Sequence, residues 1–196
     1  MKASRLGNII SETSLTFDPM FWLSTSTVVR LRDQLRAGGQ RGMVAVGTDD
    51  RSMSTEDVAV LEAEYGPLCE AMYLMMSADG EIAREELEVL GGAMRNLSGG
   101  VLDGDLIERL LETSKKNSET QGRDSRLHEV IAQLATDKAR AEVAFVLAAC
   151  IAFADNTIAD EENDTLDTLA EGLGIDEARA DELLDAVEKD MSGAAS

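Results

Sequence analysis

The chain has 196 residues and carries 38 Asp and Glu against 18 Lys and Arg, a formal net charge of −20 at pH 7. That balance argues against a nucleic-acid binder, because affinity for a polyanion comes from basic surfaces that displace its counterions. Two prolines and 4% aromatics disfavour a turn-rich sandwich or barrel, and one His with two Cys leaves little for a zinc site or a disulfide framework.

Charge divides the chain. Residues 1–53 hold seven basic and five acidic side chains, whereas residues 54–196 hold eleven and thirty-three. Between the two parts, Gly38-Gly39-Gln40-Arg41-Gly42 and Gly47-Thr48-Asp49-Asp50 lack periodicity and read as a connector. The expected organisation is an N-terminal extension with linker over 1–53, a helical domain over 54–190 and a flexible tail over 191–196.

The extension concentrates three of the chain's seven aromatics in Phe17-Asp18-Pro19-Met20-Phe21-Trp22-Leu23. Val28, Val29, Leu31 and Leu35 follow, interspersed with Arg30, Arg32 and Arg36. Three readings stand open: the arm folds back into a groove of the domain, it docks on a membrane surface, or Phe17, Met20, Phe21, Trp22 and Leu23 anchor a protein partner. No apolar stretch of signal-peptide length follows Met1-Lys2-Ala3-Ser4-Arg5, so the cytoplasm is the expected compartment.

Downstream, apolar residues recur at helical spacing. Ser54 with Asp57 resembles a capping box and opens a helix, with a kink or break expected at Gly66-Pro67. The helix resumes through Leu68, Ala71, Met72, Met75 and Met76, at the spacing of core packing, with a Met-rich partner groove as the functional alternative. After Asp79-Gly80 comes a helix from Glu85 to Asn96, then one marked by Leu106, Ile107, Leu110 and Leu111 with Asp103 or Asp105 as its cap. Residues 117–123 are expected to be a loop, and Leu127, Val130, Ile131 and Leu134 mark the next helix. Asp137 caps an apolar helix ending at Ala154. Its uncharged run from Val143 is 12 residues long, too short for a bilayer that needs about 20. Helices from about Asp160 to Gly172 and from Asp176 to Asp190 close an all-α fold of about seven helices. His128 reads as a solvent-edge or core residue, and Cys69 and Cys150 as small core residues.

The most specific feature is a repeat. Ala78-Asp79-Gly80-Glu81-Ile82-Ala83-Arg84-Glu85-Glu86 lies 76 positions before Ala154-Asp155-Asn156-Thr157-Ile158-Ala159-Asp160-Glu161-Glu162, with six of nine columns identical. Gly80 and Asn156 are the residue types that best tolerate a left-handed turn, so two helix–turn–helix halves about a pseudo-two-fold axis are expected. An EF-hand does not fit: its first and third ligand positions would be Met75 and Ser77, then Ile151 and Phe153, which cannot serve a hard cation. Two readings of the carboxylates remain. They cap turns and helix starts, or Asp79, Glu85, Glu86, Asp155, Glu161 and Glu162 converge on a divalent cation or a basic peptide.

Met76-Ser77-Ala78-Asp79-Gly80 with Ile82 and Glu85-Glu86, Ala149-Cys150-Ile151-Ala152-Phe153-Ala154-Asp155 with Ile158 and Glu161-Glu162, and Leu173-Gly174-Ile175 together resemble the TerB-like family. That family is shared by tellurite-resistance TerB proteins and the N-terminal domain of DjlA-type co-chaperones. The second copy departs from it with Asn156 in place of Gly. The resemblance implies an all-α TerB-like bundle without established enzymatic chemistry, links to stress and tellurite resistance, membrane-associated complexes, and divalent-cation binding through the six carboxylates above. The J-domain His-Pro-Asp motif is lacking, so co-chaperone activity does not carry over. The expected function is therefore a non-catalytic scaffold that docks a protein partner and reaches the inner membrane only through that partner. A cation sensor or buffer is the alternative. A metal-dependent hydrolase is the third reading, disfavoured because such sites commonly add His or a positioned base.

Overall fold

The computed structural model describes residues 29, 30, 32, 33, 53–154 and 160–193. Beyond residue 53 it contains seven helices: α1 (Thr55–Met76), α2 (Arg84–Ser98), α3 (Gly104–Gln121), α4 (Arg123–Leu134), α5 (Lys138–Ala152), α6 (Asp160–Gly172) and α7 (Glu177–Gly193). No strand occurs among the described residues. The all-α expectation holds. Four of the starts are set by the side chains that the sequence marks. Ser54 Oγ accepts from Asp57 N–H at 3.1 Å while Asp57 Oδ2 accepts from Ser54 N–H at 3.1 Å. Asp103, Asp137 and Asp176 accept from the amides of Leu106, Arg140 and Arg179 at 2.9, 3.0 and 2.9 Å.

Locally, one expectation is narrowed, since Pro67 does not break its helix, and one fails. α1 runs without a break through Pro67. A proline removes one ladder bond and crowds the carbonyls before it. Here the neighbouring Glu64 carbonyl is met by the Arg140 guanidinium. Residues 117–121 belong to α3, and Gly122, at φ 86°, is the whole connection to α4. The stretch is polar yet helical, and Thr120 Oγ1 bonds back to Lys116 O at 2.7 Å instead of competing for a turn.

The repeat is a repeat of structure. Shifted by 76 places, the last residue of α1, Met76, falls on Ala152, the last of α5, and the first of α2, Arg84, falls on Asp160, the first of α6. The helix ends match bond for bond. Ser77 N–H donates to Tyr73 O at 3.1 Å and Ala78 N–H to Met75 O at 3.0 Å; Phe153 N–H donates to Ala149 O at 3.1 Å and Ala154 N–H to Ile151 O at 2.9 Å. α3 and α7 are counterparts within a few residues. Packing obeys the same relation, since α1 meets α2, α3, α5 and α6 while α5 meets α6, α7, α1 and α2. Arg140 and Glu64 are themselves 76 apart. Counterparts touch only near the axis, so the pseudo-two-fold passes through the α1–α5 crossing.

The core sits on that crossing. Every residue from Ala141 to Ala152 is buried, and in α1 so are Leu61, Tyr65 and Leu68 through Ala71, Met72, Leu74, Met75 and Met76. Each large apolar side chain so placed contributes about 1.5–3 kcal/mol. α4, which the repeat does not duplicate, lies across α1 and α3 and also meets α5 and α6. At Gly172, where α6 approaches α4, a Cβ would stand 2.6 Å from Ile131 Cγ2.

α4 is held by charge inside the core. Arg126 forks onto Glu70 of α1, Nε to Oε1 and Nη2 to Oε2, both at 2.7 Å, with side-chain exposures of 11% and 7%. Asn117 of α3 adds a 3.2 Å bond to Glu70 Oε1, and Glu129 takes the remaining Arg126 nitrogen. Removing one member of a buried pair strands the other, so Arg126→Ala should cost about 3–5 kcal/mol in urea unfolding. Arg84→Ala, which loses only an exposed 2.8 Å pair with Glu88, should leave the midpoint nearly unchanged.

Candidate functional site

The first acidic bend follows from its residues. Gly80 adopts φ 89°, a left-handed conformation that favours glycine. Asp79 Oδ1 accepts from Glu81 N–H at 2.9 Å, closing an Asx turn. Glu86 Oε2 accepts from Ala83 N–H at 2.6 Å, reaching back to the residue that precedes α2. Ile82 and Leu87 occupy the flanking staple positions and are among the most exposed large apolar residues, at 40% and 42%. Asp79 and Glu85 face solvent while Glu86 is buried.

The second bend repeats part of this. Asp155 and the turn through residue 159 lie outside the described residues. Beyond them Glu161 is exposed and Glu162, counterpart of Glu86, is buried. The bends are tied together through α4: Arg123 donates to Leu74 O, on the helix entering the first bend, at 3.0 and 3.2 Å, and to Thr165 Oγ1, on the helix leaving the second, at 2.7 Å. Burial lowers the Arg123 pKa, with Asp124 opposing. Among the described residues, no three His, Cys, Asp or Glu side chains converge as metal ligands would. Asp79 and Glu86 have structural work at the first bend, whereas Glu85 and Glu161 are solvated carboxylates at helix starts. The arm residues Phe17, Met20, Phe21, Trp22 and Leu23 lie outside the described residues.

With the paired hairpins, the matched bends and their buried glutamates in place, the comparison with protein families is decisive. The family model described as tellurite resistance protein TerB matches residues 68–191. The chain belongs to the TerB family. The match spans more than half of the chain, starting just beyond Pro67 in α1 and continuing almost to the end of α7. Neither the curated proteins nor the solved structures gave a match.

The ion pairs that the buried glutamates of this TerB domain make escape a motif search. Besides Glu70–Arg126, Glu142 of α5 receives Arg179 of α7 in a second fork, Nε to Oε1 at 3.0 Å and Nη2 to Oε2 at 2.8 Å, and Arg179 also reaches Glu182 at 2.8 Å. Each fork thus joins an inward glutamate of a central helix to an Arg that also holds the Glu three residues after it. A carboxylate inside an apolar run, as in Leu68-Cys69-Glu70-Ala71, is the signal that could have found them, since such a charge requires a partner. Both cysteines are buried, and burial pushes the thiols of Cys69 and Cys150 up to about 12, disfavouring the thiolate that soft-metal chemistry needs. His128 is exposed, its Nδ1 2.7 Å from Asp124 O.

The hydrogen bond from Arg179, aided by the charges of Arg179, Lys138 and Arg30, holds the Glu142 carboxyl below its ordinary 4.5 against the opposing effect of burial. A depressed folded-state value adds stability above the unfolded pKa and loses it as the pH falls through the folded one. The stability gap between wild type and Glu142→Gln should therefore be constant above pH 4.5 and shrink below it. Chemical denaturation between pH 3 and pH 7, roughly the window in which a carboxyl titrates, reads this directly.

Proposed function

We propose that this TerB protein is a non-catalytic docking protein that offers an acidic helical surface and an aromatic N-terminal arm to a basic protein partner. The observation that carries this is the charge of the α6–α7 hairpin. From Asp160 to Asp190 thirteen residues are acidic and two, Arg179 and Lys189, are basic; ten of the thirteen acids are exposed. Such a face attracts cationic surfaces over about a Debye length and favours fast, salt-sensitive association. The aromatics at 17–23 suit the desolvated centre of an interface, which charge alone does not supply. No helix among the described residues is long and apolar enough to cross a membrane, and a place beside a membrane complex would come through the partner. The link to tellurite resistance that the family's name carries, and the stress role that the resemblance implies, belong to this proposal.

Affinity capture from the native cell tests it. Immobilised full-length protein should retain a basic partner at low salt. Changing Asp164, Asp167, Asp181 and Asp185 to Asn should release that partner, as should deleting residues 1–50. Capture indifferent to both changes contradicts the docking reading. The cation sensor, using Asp79, Glu85 and Glu86 with Asp155, Glu161 and Glu162, requires instead that calcium or magnesium raise the melting temperature of the wild type and not of the Asp79→Asn, Asp155→Asn protein.

A further inference from the structure

The two-fold relation leaves one place unaccounted for. α1 is covered by α4, which lies across α1 and α3. Under the relation that takes α1 to α5 and α3 to α7, the equivalent place lies across α5 and α7. Among the seven helices, α7 packs appreciably on α5 alone, so none bridges α5 and α7 as α4 bridges α1 and α3, yet α5 is buried over its whole length from Ala141 to Ala152.

The described part of the N-terminal extension has the properties of the missing cover. Residues 29, 30, 32 and 33 are helical. Their exposure is one-sided: Val29 and Arg32, one turn apart, are partly covered, while Arg30 and Asp33, on the next face, are exposed. Arg32 also pairs with Asp33 of the same turn at 3.1 Å, so the cover of Val29 is the informative part, and a single helical turn is unstable in water unless it packs. In the sequence, Val28, Leu31 and Leu35 recur at helical spacing and supply an apolar stripe. Charge completes the fit. The arm is net positive, and the positive charge of Arg30 is felt at Glu142 on α5. Glu142 stands one helical turn before Val146, the position equivalent to Glu70, where α4 brings in Arg126.

We infer that the stretch containing Val29, Arg30, Arg32 and Asp33 is an eighth helix of the bundle, seated across α5 and α7 as α4 is seated across α1 and α3. The surface between α5 and α7 is thus an intramolecular docking site for this chain's own arm. The inference does not depend on whether residues 17–23 bind a partner.

Hydrogen exchange read by mass spectrometry tests it in two forms of the protein. In the full chain, Arg30→Glu should speed exchange at least about tenfold, the change produced by 1.4 kcal/mol of local opening, in peptides from Glu142–Cys150 and Arg179–Val187. Peptides from α3 and α4 should be unchanged. Deletion of residues 1–50 should produce the same pattern, stronger. Unchanged exchange in α5 and α7 in both proteins overturns the inference. So does an equal acceleration in every helix by Arg30→Glu, and so does a concentration-dependent dimer of the full chain whose dissociation, with the arm intact, exposes α5 and α7, since a second copy would then be the cover.

Discussion

A helix with no polar face cannot stand at a surface, and the described residues form two. α1 from Leu68 onward and α5 from Ala141 onward are apolar nearly all round, so each must be enclosed by other helices. The most economical enclosure of two such helices is against each other. Their crossing, where Glu64 and Arg140 meet as counterparts of the repeat, is the contact on which the remaining helices depend. Burial also pushes the Glu64 carboxyl up, with Arg140 pulling the other way, so the axis of the molecule lies at a partly desolvated charged contact.

The same constraint explains the buried charges. Glu70 and Glu142 interrupt, or border, the apolar runs that the crossing encloses, and each is matched by a bidentate Arg from a covering helix. Such pairs contribute little net stability compared with an apolar substitute, but a misplaced covering helix would leave a charge stranded. α4 and α7 are thereby fixed in place and register by Arg126 and Arg179. The acidic bends then follow as short connections that these packed helices require: Asp79 closes the first turn and Glu86 reaches back to the amide before α2.

Much of this was legible in the residues. The caps at Ser54, Asp103, Asp137 and Asp176 act through short-range bonds that sequence spacing determines, and the repeat shows at its bends because those positions tolerate few residue types. At Pro67 the helix is not broken, because burial of Leu61, Tyr65 and Leu68 on either side outweighs a local preference against helix. Residues 117–121 depart from the loop expectation because polar composition does not preclude helix, and Thr120 bonds back to Lys116 O within α3. The forks and the Arg123 bridge join residues at least 37 apart in sequence, and no local pattern names such partners. The site reading was legible only as a set of carboxylates: the structure assigns Asp79 and Glu86 to the first bend, while Asp155 lies outside the described residues.

That the two halves share one core, and do not form two hairpins merely joined, is the central claim. Native-state hydrogen exchange as a function of denaturant measures it. Amides of α1 around Met72 and of α5 around Val146 should exchange through the same opening, with the same free energy and the same denaturant dependence as global unfolding. An α5–α7 unit that opens at markedly lower free energy than α1–α3 would contradict the account.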